Sequence, residues 1–509
     1  MTDATPDAPA TVAVAEHTPL QRAMILVTVT FATMLYGMTV LIVTVILPQM
    51  QGTLSATTDQ ISWVMTLNIV ATAVVTPMTG WLTQNFGRRR VMLFGVMGFT
   101  IATVFCGMAG SLETLILYRV FQGAFGAPLV PLANAIILDV YPRHQHGMAT
   151  AVFGMGVVIG PVFGPVFGGV LTEMYNWRWA FFMIVPFGIL GFAALWWILP
   201  SGAARRRVRF DWVGFLALSL AVVCLQIMLD QGERNDWFDS LPISLTAGAA
   251  VFGFYLFAVH TVTAQNPFLN LRLLRDRNYT LGLIIVTVYG MLNFTPMVMM
   301  PPMLKSLMGF PESIIGLMVA ARGAGALVGF FLSMWVGKLD PRIGMTIGFC
   351  MQGISGWHMA GFDMNVTLLD VALASWVQGI SIGLIWVPLV TATFKTMDRV
   401  HLEETTAVFH LLRNIGSSIF IALSVAVLIR TTGMNYARMI EFVTPFNPLM
   451  DFPAVAALWD LATTKGLAAA SSEISRQASM IGYINSFGLY MTASFSVLPL
   501  VWLVRNPKT

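Results

Sequence analysis

Charge is scarce in this 509-residue chain: Asp, Glu, Lys and Arg together make up 10% of it. A soluble domain carries roughly 25%, so a water-soluble globular fold is excluded. Cysteine is scarcer still, and Cys106, Cys224 and Cys350 each lie in apolar sequence. There a thiol packs as a small hydrophobe, and no disulfide is expected. The seven histidines have no partner at metal-ligand spacing, and no phosphate-binding glycine loop or nucleophile elbow occurs. No metal site, no cofactor and no enzyme chemistry is expected. The net charge of +4 is not gathered into a basic patch, which argues against nucleic acid. The first eighteen residues lack the basic start of a signal peptide, and the chain reads as opening on a disordered tail over 1–23.

What fills the chain is apolar: 57% of its residues are hydrophobic. Crossing a bilayer takes about 20 apolar residues in a helix, and fourteen such stretches are found. They cover 24–47, 61–83, 91–109, 114–138, 147–172, 179–199, 211–229, 243–263, 279–303, 313–336, 343–361, 367–391, 404–430 and 484–504. The expectation is an all-α polytopic membrane protein embedded in a lipid bilayer. Short cytoplasmic loops collect Lys and Arg. With the N-terminus inside, eighteen of the 28 basic residues fall on the inner side, Arg88, Arg89, Arg90 and Arg205 to Arg207 among them. Seven fall outside, and Arg119, Arg322 and Arg413 fall within segments. Both termini are therefore expected in the cytoplasm.

Residues 154–169 read GMGVVIGPVFGPVFGG, with glycines at Gly156, Gly160, Gly164 and Gly168 and prolines at Pro161 and Pro165. Glycine at every fourth position leaves one helix stripe without side chains, on which another helix can approach almost backbone to backbone. Proline removes a ladder donor, which membrane helices accept where neighbours supply partners. A smooth helix with proline bends suits a gate.

Several motifs resemble one family. Gly80-Trp-Leu-Thr-Gln-Asn-Phe-Gly87-Arg88-Arg-Arg lies between segments 2 and 3 and is similar to the inner loop of the major facilitator superfamily, with Gln84 and Asn85 where that family has Asp and Arg. Arg119, Gln122 and Gly123 in segment 4 resemble the signature of its proton-driven exporters. The 154–169 run and Trp177-Arg178-Trp179 with Phe181 and Pro186 resemble stretches of the antiporter branch, Ile184 replacing an asparagine. Fourteen segments then select the EmrB/QacA-type drug:proton antiporters. Leu225 to Gly232 and Thr444 to Pro448 resemble parts of their EmrB-like members.

The resemblance implies the major facilitator fold: a six-helix half over 24–199, two inserted helices and their loops over 200–278, and a second half over 279–504. The last contains an outer loop at 431–483, and 505–509 is a cytoplasmic tail. It implies alternating access with a midplane substrate cavity. It further implies a bacterial inner membrane and a periplasmic membrane-fusion adaptor leading to an outer-membrane channel. A self-contained outer loop without a partner is the alternative.

Charges inside a bilayer are costly, which makes Arg119, Arg322 and Arg413 candidates for coupling or for the cavity, with structural bonding as the other reading. His410 lies three residues before Arg413, on the same helix face, and an unperturbed histidine titrates near about pH 6.5. Relatives place an aspartate in segment 1 where this chain has Thr39, with Thr44 at their asparagine. Coupling has then moved to Asp230, Asp370, Glu113 or His410, or the protein is not proton-coupled in the family manner. Asn68, Gln122, Asn293, Gln378 and Trp386 are candidate cavity residues. The missing aspartate favours small neutral, weakly acidic or aromatic amphiphiles. The expected function is proton-coupled export. The alternatives are a uniporter, a differently coupled exporter, or a transport-dead sensor or scaffold.

Overall fold

The computed structural model describes residues 18–505 except 201–208, 266, 337–339, 399–400, 445 and 457. Fourteen long helices follow one another, and no strand occurs among the described residues. They are α1 (Pro19–Thr53), α2 (Gln60–Phe86), α3 (Arg88–Met108), α4 (Leu112–Val140), α5 (Arg143–Met174), α6 (Trp177–Ile198) and α7 (Trp212–Gln231). Then come α8 (Leu241–Thr263), α9 (Arg277–Ser306), α10 (Ile314–Val336), α11 (Pro341–Ala360), α12 (Leu368–Phe394), α13 (Leu402–Ile440) and α14 (Thr464–Leu503). Thirteen are long and apolar enough to cross a membrane by length and composition. The exception, α11, carries Gln352, Ser355 and His358, yet packs against α12 and α14 in the same bundle.

Helix starts are set by caps. Asp211, Asp276 and Asp340 accept backbone N–H bonds at the starts of α7, α9 and α11, satisfying donors that a first turn leaves orphaned. Thr18 and Gln21 form a capping box that starts α1 at Pro19, inside the stretch expected as a tail. Residues 1–17 of that tail, and 506–509, lie outside the described residues. A 3-10 turn at Thr76–Met78, containing Pro77, interrupts α2. In α4 the break falls around Pro128. By contrast, α5 stays helical through Pro161 and Pro165.

The expected outer loop at 431–483 is mostly helix. Helix α13 continues to Ile440 and α14 begins at Thr464, so the connection shortens to 441–463. The polar residues that end the apolar run do not end the helix, because α13 and α14 support each other there, with a bond of 2.9 Å between Tyr436 Oη and Ser471 Oγ.

Helices α1 to α6 pack as one group and α9 to α14 as another, with α7 and α8 paired and docked through α7 on α2 and α13. The groups meet where α5 lies against α10 and α12, and where the first turns of α13 lie against the ends of α2 and α4. The glycine stripe faces α1. A Cβ added at Gly156, Gly160, Gly164 or Gly168 would strike Thr30, Met34, Met38 or Ile42 respectively, at Gly160 and Gly164 through the backbone carbonyl. Gly154 and Val162 of the same helix meet Phe330 and Gly323 of α10, so α5 is held between the two groups. Glycine contacts also bind α10 to α12, through Gly325, Gly329, Gly379 and Gly383, and α9 to α13, through Gly290 and Gly416.

At Gly164 an added Cβ would lie 2.7 Å from the Met38 oxygen, whereas at Gly169 its nearest neighbour is Val45 Cγ1 at 3.6 Å. Overpacking costs about 1–3 kcal/mol. Gly164→Ala is therefore expected to lower the thermal unfolding midpoint of the detergent-purified protein by several degrees, and Gly169→Ala to leave it in place.

Candidate functional site

A polar layer crosses the middle of the bundle. In the first group Arg119 is buried on α4; its Nε donates to the Val64 carbonyl at 3.3 Å and its Nη1 to Gln122 Oε1. Gln122 Nε2 donates to Thr103 Oγ1 at 2.7 Å, and Asn68 Nδ2 on α2 donates to the Arg119 carbonyl at 2.8 Å. In the second group Arg322 on α10 donates through Nε to Gln378 Oε1 on α12 at 2.8 Å. Its Nη2 donates to Asn293 O at 2.6 Å and Asn293 Oδ1 at 2.8 Å. The two groups thus use matching helix pairs with the roles exchanged. Arginine lies on the later helix, α4, in one, and on the earlier, α10, in the other.

Between them stands Arg413 on α13. Its guanidinium reaches Asn414 Oδ1 at 3.1 Å and lies 5.6 Å from the centre of the Trp386 ring. Trp386 also meets the rings of Tyr289 at 5.5 Å and His410 at 5.8 Å. Tyr36 is within electrostatic reach of Arg119 and Arg413, and Tyr289 of Arg413 and Arg322, which makes one layer of the three cations. None of the three has a carboxylate partner among the described residues. His410 is buried, and neither ring nitrogen has a hydrogen-bond partner among those residues.

Sequence candidates outside this layer are placed as follows. Thr39 donates its hydroxyl to the Tyr36 carbonyl of its own helix at 2.7 Å. Asp230 lies on the seam between α7 and α2, bonded to Thr66 Oγ1 and to Gln231 Nε2. Asp370 accepts from the Thr367 N–H at 3.0 Å and serves as a helix cap.

The second cluster is at the predicted cytoplasmic end. Gly87 adopts φ +83°, a left-handed turn that glycine takes without a Cβ penalty, and it delivers Arg88 to the first turn of α3. Arg88 pairs with Asp139 at the end of α4 and with Glu403 at the start of α13, joining the two groups. A Cβ at Gly80 would lie 3.1 Å from Glu404 Cα, so α2 and α13 touch backbone to backbone there. The sequence reading missed Glu403. The signal was present: an acidic pair, Glu403 and Glu404, opens an apolar segment, and the basic loop at Arg88 to Arg90 has no carboxylate of its own. Asn270 N donates to Glu404 Oε1 at 2.7 Å. His401 Nδ1 lies 3.7 Å from Glu404 Oε2, and that carboxylate raises the His401 pKa above its ordinary value.

Two apolar helical groups around a central polar layer, joined at one end by an ion pair, are an architecture that suits a membrane transporter. The comparisons agree. The Major Facilitator Superfamily model matches residues 29–421, and the chain belongs to that family. It is similar to the multidrug export protein EmrB of Haemophilus influenzae, 31% identical over 499 residues covering 96% of this chain and 97% of that one. EmrB of Escherichia coli K12 is 29% identical over 503 residues, covering 97% and 98%. The fatty acid resistance protein FarB of Neisseria gonorrhoeae is 27% identical over 472 residues, covering 92% of each. Among solved structures, the human organic anion transporter MFSD10 superposes with a TM-score of 0.61 at 12% identity, covering 94% of this chain and all of that one. Such low identity bears on the fold alone.

Losing one partner of a buried ion pair costs about 3–5 kcal/mol, less where water reaches it, as it does Arg88, whose side chain is 23% exposed. Glu403→Gln should loosen this end of the bundle. A cysteine placed near Gly80 should then label several-fold faster with a membrane-impermeant maleimide than in the parent. A histidine whose pKa rises on folding contributes stability at low pH and loses it as pH rises through the folded value. The thermal midpoint should therefore fall between about pH 6 and pH 8 in the parent and change less in His401→Gln.

Proposed function

We propose that the protein is a proton-coupled exporter of small amphiphiles, working by alternating access in a bacterial inner membrane with both termini in the cytoplasm. The observation that carries the reading is the central layer: three guanidiniums with no carboxylate among their described partners. An ion inside a bilayer is costly unless compensated, and among the described residues the Arg413 guanidinium meets the Asn414 amide and the Trp386 indole face. A substrate with a carboxylate, phenolate or other strong acceptor supplies the missing counter-charge, while Trp386, Tyr289 and the surrounding methionines accept its apolar body. Relatives named for multidrug export and for fatty acid resistance support this substrate class.

His410 is the proposed coupling group, because its ring lies against Trp386 in the same layer and neither ring nitrogen is hydrogen-bonded among the described residues. Arg119 and Arg413 are the fixed cations of the layer in this coupling, and Asp230 is a second candidate on the α2–α7 seam. In this reading the Arg88–Glu403 pair, Gly80 and Gly87 form the cytoplasmic gate, and the α1–α5 glycine seam, Gly156 to Gly168, slides as it opens. The hairpin made by the outer ends of α13 and α14 would meet a periplasmic adaptor.

One observation favours uncoupled transport. Thr39, at the position where relatives carry an aspartate, spends its hydroxyl on its own helix.

Proteoliposomes with an internal pH dye test the proposal. Under an imposed proton gradient, flux of weakly acidic amphiphiles should move protons. Arg413→Gln should cut flux of acidic substrates at least about tenfold more than flux of neutral ones, a loss of about 1.4 kcal/mol in discrimination. His410→Asn should retain substrate binding and lose proton movement. Flux without proton movement in the parent would assign a facilitator, and flux indifferent to Arg413 would remove the anion reading.

A further inference from the structure

A cavity of about 600 Å³ lies away from the central layer, at the predicted cytoplasmic end. Three parts of the molecule wall it. The end of α2 contributes Gly80, Trp81 and Gln84; the approach to the inserted pair contributes Arg209, and its outgoing loop Phe268 and Arg272; and the start of α13 contributes His401 and Glu404. The loop is held in place by side chains that line the same space. Asp211 accepts from Phe268 N at 2.9 Å and lies 2.8 Å from His260 Nε2, and Glu404 accepts from Asn270 N. Hydrogen bonds from the Gly214 N–H, His260 and the Phe268 N–H outweigh the cost of burial and hold the Asp211 carboxyl below its ordinary pKa.

The chemistry of the walls is lopsided. Both carboxylates are engaged by donors of the protein itself. The Arg209 and Arg272 guanidiniums have no hydrogen-bond or ion-pair partner among the described residues. One side is aromatic: Trp81 meets Phe210 at a tilt of 59°, 4.6 Å between ring centres, and Phe210 meets Phe268 edge-on at 5.7 Å. Unspent cationic donors beside an aromatic face, at the ends of α2 and α8 and the start of α13, match a molecule with an anionic head and an apolar body.

We propose that this cavity binds an anionic amphiphile drawn from the inner leaflet, its carboxylate or phosphate head between Arg209 and Arg272 and its apolar chain along Trp81 and Phe268. Because α2, the inserted pair and α13 all line the space, an occupant touches both sides of the closed end and the inserted pair together.

The test is photolabelling of the full-length protein in nanodiscs of zwitterionic lipid. The probes are a diazirine-bearing sixteen-carbon fatty acid, the corresponding fatty alcohol, and phosphatidylglycerol with the same diazirine chain, with labelled peptides identified by mass spectrometry. The fatty acid is expected to label peptides around Trp81 and Phe268 at least fivefold more than the alcohol. Arg209→Ala with Arg272→Ala should remove that excess, and the paired lysine variants should restore it. Labelling by the fatty acid with little from phosphatidylglycerol would identify a loading site for transported amphiphiles; the reverse would identify a membrane-lipid site. Equal labelling by acid and alcohol, or labelling indifferent to both arginines, would overturn the proposal. The arginines are exposed and unpartnered, and an unchanged thermal midpoint in the double variant separates lost binding from lost folding. Labelling reads occupancy and not flux. A chain that labels here yet moves no substrate would leave this site standing and defeat the transport reading.

Discussion

Contact between helix backbones is the constraint on which the rest of this structure depends. In lipid no hydrophobic gain drives one apolar helix onto another, so association rests on close packing. The chain meets that demand with glycine at the seams α1–α5, α9–α13 and α10–α12. Where Gly160 and Gly164 lie against the carbonyls of Met34 and Met38, the distance between helices is set by main-chain atoms and not by side-chain rotamers. Such a seam has few interlocking side chains, which allows one helix to shift along another without repacking a core.

The glycine seams also place the polar layer. Because α10 and α12 are drawn together at Gly325, Gly329, Gly379 and Gly383, Arg322 reaches Gln378 directly. Because α9 is held to α13 at Gly290 and Gly416, Tyr289 comes within electrostatic reach of Arg413. The cations of the layer are held by amides, carbonyls and ring faces. These stabilise a guanidinium without neutralising it, so the middle of the protein keeps a positive potential that a conventional ion pair would have cancelled.

Much of this was legible in the sequence because it depends on local composition. Apolar run length locates the helices, and the four-residue glycine period identifies a smooth face on α5. The three intramembrane arginines stand out because charge is rare there. What was not legible depends on which helices meet. That the stripe faces α1 and not another helix follows from the packing of the whole group. The scattered glycines of α10 and α12 have no regular period, and only their mutual contact reveals them. Glu403 acquires meaning from Arg88, 315 positions away. The helical continuation of α13 through 431–440 was hidden for a different reason: polar sequence ends an apolar run without ending a helix.

Helix α13 is 39 residues long and contains no proline, and at 1.5 Å per residue it extends about 58 Å. Glu403 stands at one end, Arg413 lies along its course, and Tyr436 belongs to the far end. A rod of that length turning by about 5° around its middle moves each tip by about 2.5 Å, in opposite directions. That is close to the difference between an ion pair in contact and one parted by a water molecule. Mechanically, the ion-paired end at Glu403 and the end at Tyr436 are the two arms of a single beam, and a load applied to either arm is felt by the other.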